Sequence, residues 1–154
     1  MNWTTNHFEE FTVKKLYEIL KLRVDVFIVE QNCPYPELDG LDEESIHMAY
    51  MENGRILAYA RLVPAGVKYS LPSIGRVIVH PDARGRGLAK ELLERSIDYI
   101  FSEWNPDGIQ LQGQVYLQDF YKSFGFVPVS EAYDEDGIPH VDMQLAKNKI
   151  DAGQ

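Results

Sequence analysis

Residues 76–100, RVIVHPDARGRGLAKELLERSIDYI, change hydrophobic period within one unbroken run. Val77-Ile78-Val79 is short, apolar and β-branched, which suits a buried strand. From Leu88 onward, Leu92, Leu93, Ile97 and Ile100 recur at helical spacing and give a helix one apolar face. Pro81 lies between the two and ends the strand, because proline has no N–H to donate to a ladder. A strand feeding into an amphipathic helix must stack a helix layer on a sheet. The α/β class follows before any other segment is read.

The other segments agree. Asn2 to His7 reads as a short first strand. Thr12 suits a helix cap, and Val13, Leu16, Tyr17, Leu20, Val24 and Phe27 then form an apolar stripe over about four turns. Asn32 and Pro34 end that helix, since the residue before proline avoids helical dihedrals. CPYPELDGLDEES is an irregular acidic connection. SIHMAYM and RILAYARLV flank ENG, and Asn53-Gly54 signals a tight hairpin turn. After the loop PAGVKYSLPS, a strand from Ile74 to His80 leads to a helix from about Gly87 to Ser102. NPDG breaks that helix, IQLQGQV alternates like a strand, and LQDFYKSF is a short helix stopped by Gly125. FVPVSEAY and HVDMQLA form a last strand pair around DEDGIP. The predicted order is β-α-β-β-β-α-β-α-β-β, a mixed but largely antiparallel sheet flanked by helices. The 154 residues suit a single domain, 1–154, with one core.

Fifteen basic against twenty-four acidic residues leave a net charge of −9. An acidic surface argues against nucleic acid and anionic membranes and favours cationic partners, although acidity also serves solubility alone. No apolar run approaches the roughly 18 residues of a membrane span. MNWTTNHFEE lacks the basic start and apolar core of a secretory signal, so the expected location is the cytoplasm. A single cysteine, Cys33, excludes an internal disulfide and argues against a cysteine-based zinc site, and no metal is expected. A homodimer stays open.

Against this acidic background, Arg84, Arg86 and Lys90 gather positive charge where a helix begins. A helix N-terminus exposes unpaired N–H groups and partial positive charge, so it attracts anions. Glycine lets the backbone turn sharply and approach a phosphate, and successive N–H groups form a concave nest. Arg84-Gly85-Arg86-Gly87 therefore reads as a pyrophosphate cradle, with an ordinary tight turn as the plain alternative. It is not a P-loop, because Leu88 and Ala89 stand where that loop needs Lys and Ser or Thr. A dinucleotide fingerprint would need three glycines in a parallel βαβ unit.

VIVHPDARGRGLA resembles the acetyl-CoA-binding motif of the GNAT N-acetyltransferase superfamily, and YKSFGF from Tyr121 resembles its second motif. LRVDVFIVEQNCPYPELDGLD, IGRVIVHPDARGRGLA and EDGIPHVDM are similar to the ElaA-like branch. The resemblance implies the GNAT acyl-CoA N-acyltransferase fold, acetyl-CoA as co-substrate and direct attack by an amine. It implies that Val77, Ile78 and Val79 pair with the pantetheine arm and that a backbone N–H near Val79 polarises the thioester. It assigns Arg84, Gly85, Arg86, Gly87, Leu88, Ala89 and Lys90 to the pyrophosphate turn, with Ala89 where many members have glycine. Gln114 stands where many members have asparagine, and it would hydrogen-bond the pantetheine or nearby backbone.

The same resemblance makes Tyr121 the acid that protonates the leaving thiolate; the plain alternative is a core aromatic. Of four histidines, His47 and His140 stand out, and His140 in EDGIPH is the choice for a substrate-site role. Glu30, ending the first long helix, would bind the cationic amine or relay its proton. Cys33 reads as structural. The acidic loop Glu37 to Glu44 points to a cationic small-molecule or peptide amine as acceptor. Two other readings stay open: a CoA-binding module for sensing or regulation without turnover, and a nucleotide-phosphate-binding domain unrelated to CoA.

Overall fold

A computed structural model describes residues 2–147. Among the described residues eight strands form one sheet: β1 (Asn2–His7), β2 (Ile46–Glu52), β3 (Arg55–Val63), β4 (Ser73–Val79), β5 (Gly108–Gln114), β6 (Val127–Pro128), β7 (Tyr133–Glu135) and β8 (Ile138–Ala146). Their order is β1-β2-β3-β4-β5-β8-β6, with β7 also paired to β8. All pairings are antiparallel except β4 with β5. The α-helices α1 (Val13–Val24), α2 (Leu88–Tyr99) and α3 (Gln118–Lys122) flank it in a mixed α/β architecture.

The period-two alternation of the strands splits the core into two layers. Met48, Ala58, Ala60 and Leu62 face α2, where Leu88, Leu92, Leu93, Ile97 and Ile100 close the larger cluster. Ala49, Ile56, Tyr59 and Ile78 face the opposite side, against Ile19, Leu22 and Val26 of the first helix. Thr12 caps α1, accepting a hydrogen bond from the Lys15 N–H at 3.1 Å. The sequence stripe on this helix is rotated from the buried face. Val13 and Tyr17 are exposed at 87% and 69%, while Ile19, Leu22, Arg23 and Val26 point inward. The buried charge of Arg23 hides the true period, because a pattern count scores arginine as an outward residue. Beyond Val24 the coil widens to π-helical geometry over Asp25–Glu30, and α2 does the same over Ile100–Trp104.

Asn53 and Gly54 have φ of 53° and 74°, the two left-handed residues a type I′ hairpin requires. The final strand pair differs from expectation. Within FVPVSEAY only Val127–Pro128 forms a strand, β6; β7 starts at its last residue, Tyr133, and runs to Glu135 inside the expected turn, and both pair with β8, which begins at Ile138. Pro128 explains the break, since a residue without an N–H is tolerated on an edge strand but cannot extend a ladder. Among the described residues no helix is long and apolar enough to cross a membrane.

Candidate functional site

The parallel strands β4 and β5 share a single register pair, Ser73 with Gln110, and the Gln110 N–H donates to the Pro72 carbonyl at 2.9 Å. Beyond that point they diverge, and a cavity of about 760 Å³ opens between them. On the other side of β4, the His80 N–H donates to the Leu57 carbonyl of β3 at 2.8 Å. Alternation along the strand then turns the Val79 and Val77 N–H groups toward the cleft. No strand answers them there, so they are free for an extended, amide-bearing ligand.

Midway along β4 the ladder is interrupted. Tyr59 pairs with Ile78 and Arg61 with Gly75, so Ala60 alone faces Arg76 and Val77. This is a β-bulge, and Arg76 occupies it with φ of 52°. The conformation is unfavourable for a residue bearing a Cβ, by roughly 1–2 kcal/mol.

The turn after β4 carries two more left-handed residues, Gly85 at 82° and Gly87 at 78°. Nothing lies within 4 Å of an ideal Cβ at either glycine. Glycine is needed for the backbone conformation there, and the turn is open to an approaching group. Gly87 is the N-cap of α2. Arg84 pins the turn, its Nε donating to the Val79 carbonyl at 3.1 Å and its two terminal nitrogens holding Glu30 at 2.6 and 2.7 Å.

The structure brings most of the sequence-chosen residues onto one cavity. Val77, Ile78, Val79, Arg84 and Gly85 line it along β4 and the turn. Gly87, Leu88, Ala89, Gln114, Tyr121 and His140 complete that set. Three are not lining residues. Arg86 is held by Glu52 at 2.7 Å, Lys90 is exposed on α2, and Glu30 is engaged with Arg84. The hydrogen bond from Arg84 lowers the Glu30 pKa despite some opposing desolvation. Expected to bind the cationic amine or relay its proton, Glu30 is instead bound to Arg84, where it braces the turn.

Tyr121 on α3 is 6% exposed and packs edge-on against Phe120 and Phe126. Its ring lies over Gly113 of β5, where a Cβ would come within 3.1 Å of two ring carbons. Gly113 is thus a site residue that sequence reasoning missed: its missing side chain makes room for Tyr121. Burial, with a further contribution from Tyr116, pushes the phenol pKa up to about 12, so the hydroxyl keeps its proton at neutral pH.

His140 lies opposite Gln114 in the β5–β8 register. Its Nδ1 is 2.7 Å from the Ile138 carbonyl. A carbonyl only accepts, so Nδ1 carries the proton and Nε2 of the neutral ring keeps a free lone pair. His47 has no such capacity. It is buried, with Nδ1 2.6 Å from the Tyr59 hydroxyl and Nε2 3.0 Å from the Asp42 carbonyl, and desolvation lowers its pKa. Cys33 also lines the cavity, its thiol donating to the Asp136 carbonyl at 3.1 Å.

The acidic connection behaves differently from the cation lure its sequence suggested. Glu37 is 3% exposed and binds Arg23 at 2.6 Å and Arg76 at 2.8 Å. Asp39 holds Arg61 at 2.7 Å, and Asp42 holds Arg23 at 2.6 Å. Burial alone would raise the Asp39 pKa, but hydrogen bonds and charge from Arg61 outweigh it and hold the carboxyl far below the ordinary range. These carboxylates are spent on arginines. Asp39 also lines the cavity but is paired with Arg61; the cavity carboxylates with no arginine partner among the described residues are Glu135, at the end of β7, and Asp136, in the turn after it.

Residues 10–147 match the family model described as an acetyltransferase (GNAT) domain. The chain is 40% identical to the Escherichia coli protein ElaA over 145 residues, 93% of this chain and 95% of that one. A crystal structure of an acyl-CoA N-acyltransferase from Pseudomonas aeruginosa superposes with a TM-score of 0.90 at 40% identity, covering 95% of this chain and 100% of that one. A spermidine N-acetyltransferase from Vibrio cholerae, solved with CoA and spermine, shares the fold at a TM-score of 0.72 and 19% identity, over 96% of each chain.

Proposed function

Because the chain belongs to the GNAT acetyltransferase domain family, we propose that it moves an acetyl group from acetyl-CoA directly to an amine. The observation that carries this reading is the unpaired stretch of β4 running into the Gly85–Gly87 turn, with Tyr121 on the wall of the same cavity. The open turn fits a pyrophosphate; the free N–H of Val79, nearer that turn, fits a pantetheine amide, and the free N–H of Val77, beside the bulge and not near Val79 as the sequence suggested, fits the thioester carbonyl.

The amine nitrogen attacks the thioester carbon and forms the C–N bond. Negative charge gathers on the carbonyl oxygen, where the β4 amides stabilise it. The C–S bond then breaks and leaves a thiolate. The Tyr121 hydroxyl donates to that sulfur. Full proton transfer from a phenol near 12 to a thiolate with a reference value of about 8.5 is uphill by roughly 4–5 kcal/mol. The hydroxyl therefore acts first by hydrogen-bonding the developing charge; where it gives up its proton, the phenolate regains one from solvent, and the proton taken by His140 is released to solvent in turn. Nε2 of His140 takes the proton the amine loses. Glu135 and Asp136 favour a cationic amine as acceptor. Gln114 and Gln31, joined at 3.4 Å, offer amide groups to the pantetheine end.

The test is a screen of polyamines, amino sugars, amino acids and lysine peptides with isotope-labelled acetyl-CoA, read by mass spectrometry. The label is expected as an amide on one class, with one thiol released per amide. A protein that binds acetyl-CoA yet labels none of them, under conditions where thiol release is also absent, would instead be a binding module.

A further inference from the structure

The bulge in β4 puts an arginine where a glycine would be at ease. A left-handed residue in a strand interior is uncommon unless its surroundings over-determine it. Arg76 has φ of 52° although its neighbour Gly75 would tolerate that dihedral at no cost. Its side chain shows what compensates. The Arg76 Nε donates to a Glu37 carboxylate oxygen at 2.8 Å. One terminal nitrogen donates to the Glu37 carbonyl at 3.2 Å and to Asp39 at 3.3 Å. The guanidinium also lies over the Tyr35 ring, 5.7 Å from its centroid. Glu37 cannot drift, because Arg23 and the Tyr35 hydroxyl hold the same carboxylate at 2.6 and 2.5 Å. An ion-paired arginine in this setting is strongly directional, since its planar fork fixes angle as well as distance.

Resting on the acetyl-transfer reading, we infer that Arg76 is a positioning residue: its clasp by Glu37 and Asp39 holds the β4 bulge in the left-handed conformation and thereby aims the Val77 N–H at the thioester carbonyl. The peptide joining residues 76 and 77 rotates with the dihedrals of Arg76. Releasing the side chain lets the backbone relax to negative φ, which swings that N–H out of the cleft. The connection between the first helix and β2 thus acts on the reacting carbonyl through the backbone and touches no reacting atom.

Glycine supplies the decisive variant. It adopts positive φ without a clasp, so Arg76→Gly keeps the bulge while Arg76→Ala does not. Glu37→Gln, nearly isosteric, loosens the clasp from the other side. Two readouts apply. In ligand-free protein, the coupling between the backbone N–H and Hα of residue 76, with its intraresidue Overhauser effect, reports φ directly. In complex with carbonyl-labelled acetyl-CoA, difference infrared spectroscopy reports how strongly the thioester C=O is polarised.

Wild type is expected to have positive φ at residue 76 and a C=O band displaced to lower frequency than free acetyl-CoA. Arg76→Ala is expected to lose positive φ and more than half of that displacement. Arg76→Gly is expected to keep most of it, and Glu37→Gln to fall between. Positive φ persisting in Arg76→Ala overturns the clasp. Equal loss of the displacement in the alanine and glycine variants overturns the backbone route, because the guanidinium itself would then act on the substrate. An undisplaced band throughout, with acetyl-CoA bound, overturns the aim of the amide. If wild type binds no acetyl-CoA, the acetyl-transfer reading itself falls and takes this inference with it.

Discussion

Tyr121 owes its position to an absence. Gly113 leaves the space its ring fills, and Phe120 and Phe126 hold that ring edge-on. The hydroxyl is the one group whose removal isolates its role, because Tyr121→Phe keeps all of that packing. On a verified acceptor, kcat is expected to fall by about 10²-fold while the acetyl-CoA Kd stays within about 2-fold, since the lost hydrogen bond matters as thiolate charge develops. Near-wild-type kcat, with chemistry shown to limit the rate, would reassign Tyr121 to packing alone. His140 is tested in the same assay. His140→Gln is expected to lower kcat/KM by 10-fold or more at neutral pH, because the acceptor of the amine proton is gone. Tyr121 was legible in sequence because a motif carries it. Arg76 was not: nothing local distinguishes an arginine in a strand, and its partner Glu37 lies 39 residues away.

At the scale of elements, the turn between β4 and α2 is both the most readable segment and the most constrained. Its glycines announce left-handed residues, and the structure has them at Gly85 and Gly87. Replacing Gly87 by valine forces a β-branched residue into that region, at a cost of roughly 1–2 kcal/mol or more. The nest would open to escape the strain, so acetyl-CoA affinity is expected to fall at least 10-fold while circular dichroism still reports a folded chain. Calorimetry with unchanged Kd would remove the cradle. Other elements were legible for equally local reasons, as at the Thr12 cap and the Asn53-Gly54 hairpin. The phase of α1 was not, because Arg23 is a charged residue on a buried face. Nor was the pairing of Glu30 with Arg84 across 54 residues, which periodicity does not encode.

Across the whole molecule, the cluster of Arg23, Arg61 and Arg76 with Glu37, Asp39 and Asp42 ties α1, the acidic connection, β3 and β4 into one body. Removing one member of such a cluster leaves a buried charge unpaired, typically at about 3–5 kcal/mol. Its pH dependence has a definite sign. Asp39 and Asp42 have folded pKa values lowered from the ordinary carboxylate range, although burial opposes the shift in both. The unfolded chain therefore takes up protons first as pH falls. The stabilisation is fully present above the unfolded value of about 3.9 and is lost as pH drops toward the folded values. The urea midpoint is expected to decline below about pH 4, and Asp39→Asn is expected to be less stable at pH 7 with a shallower acid slope. An identical slope in the variant would show that other carboxylates govern acid unfolding. This cluster is why the acidic loop misleads as a sequence signal, since net charge along a segment does not tell which carboxylates meet arginines after folding.

In the proposed complex the acetyl-CoA pyrophosphate sits at the turn and its pantetheine along the open side of β4. Titrating acetyl-CoA into isotope-labelled protein and following backbone amide resonances tests that placement residue by residue. Saturable shifts are predicted to be largest at Val77, Val79, Gly85 and Gly87, whose N–H groups face the ligand. Saturable binding that leaves those four amides unmoved would contradict it.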